Sequence, residues 1–269
     1  LIAYQTGYLK THFKEEFLVS SMNMSINKTE NIVMFKKEIN DLDIKFLKPD
    51  INYSQTEFSI ELNKDNNKCI RFGLAAIKGV GFNAMKNLIL EREKNGQFKD
   101  IIDFISRLNT DVVNKKQLEK LIQSGSFDSI DQNRCFLFNN VTNLINIHNT
   151  LSQNKDQNSL FKDQDNKIDY INNLKKFSDW SMLIKLKNEL DVIGFYFSEH
   201  PLSLYSKEIY DLFEITSYEK ILSNNRMTKS RVVGSILDIK DRTSKDGNKY
   251  AFITLSDKNN QYELTIFGD

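Results

Sequence analysis

The stretch Arg71-Phe72-Gly73-Leu74-Ala75-Ala76-Ile77-Lys78-Gly79-Val80-Gly81-Phe82-Asn83-Ala84-Met85-Lys86-Asn87-Leu88-Ile89 decides the fold of the helical part of this chain. Leu74 and Ile77 stand at helical spacing and predict a lead-in helix. Ala84, Leu88 and Ile89 recur on one face of a second helix. Gly79-Val80-Gly81 joins the two, so the stretch reads as a helix-hairpin-helix. Glycines let a backbone approach an anion closely, and the second helix has free N–H groups at its positive end. Lys78, Gly79, Val80, Gly81, Asn83 and Lys86, with Arg71 at the entry, are therefore candidate DNA-binding residues. Residues 68 to 99 carry seven Lys and Arg against two Glu, a local +5 in a chain of net charge +1. Such a surface would grip a DNA backbone without reading sequence. The competing reading is a glycine turn between two core helices with a solvated basic face. Leu118, Leu121, Ile122, Gly125 and Phe127 form a weaker echo of the same pattern.

Upstream, Leu1, Tyr4, Tyr8 and Leu9, then Phe13, Phe17 and Leu18, predict one or two amphipathic helices up to about Met22. Ile32, Phe35 and Ile39 anchor a helix from Thr29 to Asn40, and short strands are expected at 44–47 and 58–62. Downstream, 71–147 reads as several helices. Residues 149–167 are polar and aperiodic, as in a flexible linker. A helix returns from about Trp180 to Val192, and His200-Pro201 ends that region. From Arg231 the period becomes two. Ala251, Ile253 and Leu255 share one face, and Tyr250, Phe252 and Thr254 the other. Tyr262, Leu264 and Ile266 alternate likewise, predicting a three-strand antiparallel meander. The fold class expected is α+β: a mostly helical region with the helix-hairpin-helix, then a truncated antiparallel OB-type β-barrel. Both ends of the chain are expected to be cut points of a longer polypeptide.

With 269 residues, 40% of them hydrophobic, the chain can form two or three small domains. Lys and Arg (37) balance Asp and Glu (36), so any nucleic-acid surface must come from local clustering. Cys69 and Cys135 lie far apart, and His12, His148 and His200 are scattered. Neither a zinc site nor a disulfide framework is expected, and a reducing, cytoplasmic setting fits. No run approaches the roughly 18 apolar residues of a membrane span, so no membrane partner is expected. Asp50, Asp100, Asp103 and His200 are read as caps or turn and stop residues, not catalytic groups.

Gln157-Asn158-Ser159-Leu160-Phe161 sits inside the polar linker. Its Leu-Phe pair has no local core to join. Burial of both side chains on a partner would contribute about 3–6 kcal/mol before ordering costs. Arg242, Lys245 and Lys249, near Tyr250 and Phe252, are candidate contacts to a single strand. A core role for the two aromatic residues is the other reading.

Taken in order, these pieces resemble the polymerase (α) subunit of bacterial DNA polymerase III over nearly the whole chain. The opening Ala3 to His12 with Glu16-Phe17 resembles the end of that family's fingers. Pro49-Asp50-Ile51-Asn52-Tyr53-Ser54 resembles its Pro-Asp-x-Asn-x-Ser segment, and Arg71 to Gly81 its helix-hairpin-helix. Val113-Asn114-Lys115 and Leu121 to Asp128 resemble its next helical unit. Gly194-Phe195-Tyr196-Phe197-Ser198-Glu199-His200-Pro201-Leu202 resembles a signature before its OB domain.

The resemblance implies five parts: 1–47 as the end of the fingers, 48–148 as a helix-hairpin-helix and clamp-binding domain, and 149–170 as a linker with a clamp-binding peptide. A helical connector over 171–225 and the first strands of an OB-fold over 226–269 complete it. It implies primer-template DNA as a partner. It also implies the β sliding clamp, held by Gln157, Ser159, Leu160 and Phe161, and other holoenzyme subunits bound through regions outside this chain. The family's catalytic carboxylates, with their Mg, belong to a palm domain N-terminal to Leu1, so no catalytic residue, metal ligand or cofactor is assigned here. Two other classes stay open. One is a helix-hairpin-helix repair glycosylase using Asp100 or Asp103; the other is a non-catalytic adaptor between clamp and DNA.

Overall fold

The computed structural model describes residues 1–108, 114–156, 170, 173–223, 229–244, 247–258 and 260–268. The chain divides into two units, Leu1–Phe197 and Ser198–Asp269.

In the first unit, α1 (Ile2–His12) and α2 (Lys14–Met24) meet at Phe13, and α3 (Thr29–Asp41) follows. α1 buries none of its residues: Ile2, Tyr4, Tyr8 and Leu9 are exposed. The amphipathic expectation thus fails for α1, and holds for α2, which buries Leu18 and Met22. α3 buries Ile32 and Ile39. It ends in a left-handed turn at Asp43 (φ 54°), where Asp43 N–H donates to Asn40 and Ile44 N–H to Ile39. That pairing satisfies two terminal carbonyls and seats Ile44 in the core.

β1 (Lys45–Leu47) and β2 (Ser59–Leu62) lie where the sequence places them. β3 (Lys68–Arg71), too short to show alternation, joins them as the central strand, parallel to β1 and antiparallel to β2. Behind this sheet Phe58 and Phe72 meet edge to face, with ring centroids 5.0 Å apart. Phe195 and Phe197 close over Phe72 at 6.2 and 5.9 Å. The Gly194–Phe197 signature is thus a lid on the aromatic core.

The 49–54 segment braces the unit. Ser54 Oγ donates to Phe72 O (2.7 Å), and Asn52 exchanges two hydrogen bonds of 2.8 Å with the Phe98 backbone. Asp50 Oδ1 accepts from Asn52 N–H and Ser129 Oγ, a turn role as expected.

The helices α4 (Phe82–Asn95), α5 (Ile101–Arg107), α6 (Lys115–Gln123), α7 (Arg134–Asp156) and α8 (Met182–Ile193) complete the unit. α7 continues through 149–156, which the sequence reading assigned to a flexible linker; residues 157–169 lie outside the described residues. α8 stops at Gly194, whose left-handed φ of 97° ends it. His200 therefore does not stop a helix but starts one. Its Nδ1 accepts from Leu202 N–H at the head of the 3-10 turn Pro201–Leu204.

In the second unit, α9 (Lys207–Leu212) and α10 (Tyr218–Ser223) precede an antiparallel sheet of β4 (Ser235–Thr243), β5 (Lys249–Ser256) and β6 (Gln261–Phe267) in order 4-5-6. Direct pairs put Ile239, Ile253 and Leu264 in one row and Arg242, Tyr250 and Phe267 in another, on the opposite face. Among the described residues the three strands form an open sheet. The architecture is α+β, helical first and antiparallel β second.

Candidate nucleic-acid interface

The hairpin is built by neighbours on both sides. β3 leads into a close crossing: a Cβ on Gly73 would lie 2.7 Å from Glu57 O, so only glycine fits there. The lead-in arm is a single 3-10 turn, Leu74–Ala76, and not the regular helix that Leu74 and Ile77 suggest. Its main chain is drawn off by the 55–56 segment: Leu74 N–H donates to Gln55 O and Ala75 N–H to Thr56 O, both at 3.0 Å. Lys78 N–H donates to Val192 O (2.8 Å), pinning the turn to the end of α8. Gly79 then takes φ 80°, open to glycine and costly for other residues. Val80 is buried beneath the turn.

Gly81 is extended, and no side chain caps α4. The first main-chain bond onto this helix is Met85 N–H to Gly81 O (3.1 Å). The N–H groups of Phe82, Asn83 and Ala84 therefore point out of the helix start. Gly79, Gly81, Asn83, Lys78 and Lys86 are all exposed around it. This is an anion-accepting geometry with the cations to match.

The +5 of the sequence is not all displayed there. Arg92 is buried and donates to Ile51 O and Ser54 O at 3.0 and 2.7 Å. Lys68 pairs with Glu16. Arg71 spends its donors on Glu61 (Nε to Oε2, 3.0 Å) and Lys48 O (2.8 Å), bracing the sheet and not the hairpin. Lys78, Lys86, Lys94 and Lys99 remain exposed.

The echo over 118–127 turns inward. Ser124 and Ser126 are buried with their hydroxyls 2.7 Å apart, and Gly125 is covered by Arg134. What the sequence did not reveal is that α6 itself lies against the hairpin. A Cβ on Gly81 would stand 3.1 Å from Gln117 Nε2, and one on Gly79 3.7 Å from Lys120 Cγ. Asn114 and Gln117 form a capping box, with Gln117 Oε1 accepting from Asn114 N–H and Asn114 Oδ1 from Gln117 N–H. That box was legible locally as Asn-x-x-Gln; its position beside Gly81 was not.

Behind this surface lies a buried ionic cluster. Arg134 donates to Asp128 (2.8 and 2.7 Å) and to Glu189 Oε1 (3.0 Å). Glu189 Oε2 accepts from Phe197 N–H. Burial opposes the Asp128 charge, but Arg134 and Lys48 hold its carboxyl below the usual range. Lys36 donates to Tyr196 O (2.7 Å), its ammonium 4.4 Å from the Phe195 ring centre. Burial brings Lys36 down to about 8 against the opposing pull of Glu189.

Asp100 and Asp103 are structural. Asp100 caps α5 through Asp103 N–H, and Asp103 accepts from Lys99 N–H and pairs with Arg107. Among the described residues no three or more His, Cys, Asp or Glu gather as metal ligands.

On the second sheet Arg242 lies directly opposite Tyr250, beside Phe252. Lys249 is one residue from Tyr250, so the pleat puts it on the other face. Lys245 and the pentapeptide residues Gln157, Ser159, Leu160 and Phe161 lie outside the described residues. No helix among the described residues is long and apolar enough to cross a membrane.

A family model described as helix-hairpin-helix motif matches residues 43–137. The DNA polymerase III subunit alpha of Buchnera aphidicola subsp. Schizaphis graminum is 36% identical over 99% of this chain and 23% of its own length. That of Borreliella burgdorferi is 35% identical, also over 99% and 23%. That of Campylobacter jejuni is 32% identical over 99% of this chain and 22% of its own length. The chain thus spans about a quarter of the length of the curated relatives it matches. Every part of the chain, hairpin, capping box, aromatic lid and sheet, falls within these matches, and the chain belongs to the DNA polymerase III subunit alpha family.

Proposed function

We propose that this chain is the part of a replicative polymerase that holds primer-template DNA and the sliding clamp, and so supports processive synthesis. The observation that carries the DNA half is the uncapped start of α4, ringed by exposed Lys78, Asn83 and Lys86. Three outward N–H groups and two ammonium groups suit a phosphodiester and carry no base code. Arg71 is left to the sheet. The clamp half rests on Gln157, Ser159, Leu160 and Phe161, read from sequence. A tether of modest affinity suffices, because it raises the effective concentration of polymerase on DNA. Arg242, Tyr250 and Phe252 offer a stacking face to the single-stranded template. Catalysis, with its Mg, and the contacts to other holoenzyme subunits belong to regions outside this chain, and the working compartment is the cytoplasm.

Calorimetric titration with a bacterial sliding clamp tests the tether. Binding by the parent chain and its loss in a Leu160→Ala, Phe161→Ala variant is expected. No heat from the parent chain would remove the clamp from this reading and leave the hairpin.

A further inference from the structure

We infer that α6 supplies the second half of the phosphate grip, through Lys116, Gln117 and Lys120. This rests on the DNA reading above and extends it to α6, although Gly125, just past the end of that helix, is covered by Arg134.

The hairpin cannot be approached without meeting α6. Positions 79 and 81 face Lys120 Cγ and Gln117 Nε2 across 3.7 and 3.1 Å. Gln117 is held for this purpose: its Oε1 is tied to Asn114 N–H, which leaves the Nε2 donor toward the turn. Half-buried Lys120 donates from Nζ to Gln123 Oε1 (3.1 Å) and forms no ion pair with a carboxylate among the described residues. Lys116 is exposed one turn earlier on the same stripe. Two like charges at i and i+4 repel and weaken an isolated helix. Glu119 pairs with Lys115 at 3.9 Å and so does not relieve them. An anion seated between hairpin and α6 would neutralise that stripe. It would accept from the α4 N–H groups on one side and from Gln117 and the two ammonium groups on the other. The ligand class is the phosphodiester backbone of a duplex.

The test is the salt dependence of binding of a labelled, sequence-neutral duplex to the full chain. Each phosphate neutralised contributes about −0.9 to the slope of log affinity against log salt. The variant Lys116→Ala, Lys120→Ala should make that slope shallower by about 1 to 2, with an unchanged thermal midpoint. Lys116→Gln, Lys120→Gln serves if the alanine variant unfolds. Lys37→Ala, Lys64→Ala removes equal charge from exposed sites on other elements and should leave the slope intact. An unchanged slope in the α6 variant, or an equal drop in the control, overturns the inference while leaving the hairpin reading in place. No duplex binding by the parent chain overturns both.

Discussion

The guanidinium of Arg134 occupies the space that a side chain at Gly125 would need. A Cβ there would overlap Nη2 and Cζ and lie 3.0 Å from Nε. The same guanidinium is only 4% exposed and is held by Asp128 and Glu189. Gly125 also has φ 79°, as Gly96 has φ 82°, yet a Cβ on Gly96 meets nothing within 4 Å. The pair separates backbone strain from steric displacement. Gly96→Ala should cost about 1–2 kcal/mol, the left-handed penalty alone. Gly125→Ala should cost about 3–5 kcal/mol, because a buried ion cluster must also shift. Urea midpoints of the two variants check this.

Removing one member of the cluster should be worse than its pairwise geometry suggests. Arg134→Met leaves Glu189, 1% exposed, without its cation, and about 3–5 kcal/mol of stability should go. A double-mutant cycle with Glu189→Gln should give a coupling of about 1–3 kcal/mol. Additive losses would show that the two residues do not act together.

The acid limb of stability should trace to Asp128. Its folded pKa is depressed below the unfolded value of about 3.9. The stability it contributes is full above that value and is lost as pH falls through the folded pKa. Asp128→Asn should flatten the fall in urea midpoint between about pH 4 and pH 3.

Lys36 should act at the alkaline end, where stability again rises with pH. Its folded value of about 8 lies below the unfolded value of about 10.4. Between the two, the unfolded chain binds more protons, so stability rises with pH across that window. Lys36→Met should abolish the rise in thermal midpoint from about pH 8 to pH 10.

For the hairpin, Gly79→Ala should lower duplex affinity by about tenfold, on the order of 1.4 kcal/mol, and leave clamp titration unchanged. Affinity of the parent chain should fall steeply with salt and vary little with sequence. Equal loss of clamp and duplex binding in the variant would signal unfolding.

Features written in neighbouring residues were legible from the sequence. The alternation of Ala251, Ile253 and Leu255 against Tyr250, Phe252 and Thr254 gave β5 and its two faces, and Ile32 with Ile39 gave α3. The glycines at 79 and 81 located the turn. Features set by distant partners were not legible. β3 is four residues long and exists because β1 and β2 flank it. Lys68 and Arg71 looked like hairpin cations, but Glu16 and Glu61 take them, and Arg92 goes to the carbonyls of 51 and 54. The partners of Lys68 and Arg92 lie about 40 to 50 residues away in sequence, beyond any local pattern. The same holds for α6 beside the hairpin. Its capping box is a local signal, but only the packed structure brings Gln117 to Gly81.

The bare start of α4 sets two pressures against each other at position 81. An Asp or Ser there would finish the helix and add about 0.3 kcal/mol to the free protein once Gln117 Nε2, 3.1 Å from a Cβ at that position, gives way. Its oxygen would also satisfy the N–H groups that a phosphate would otherwise use. Variants selected for heat resistance alone should therefore drift toward a capped residue 81 and lose duplex affinity as they do. On the proposed reading, the glycine is a place where the free protein is left less stable than it could be, so that its last hydrogen bonds are completed from outside.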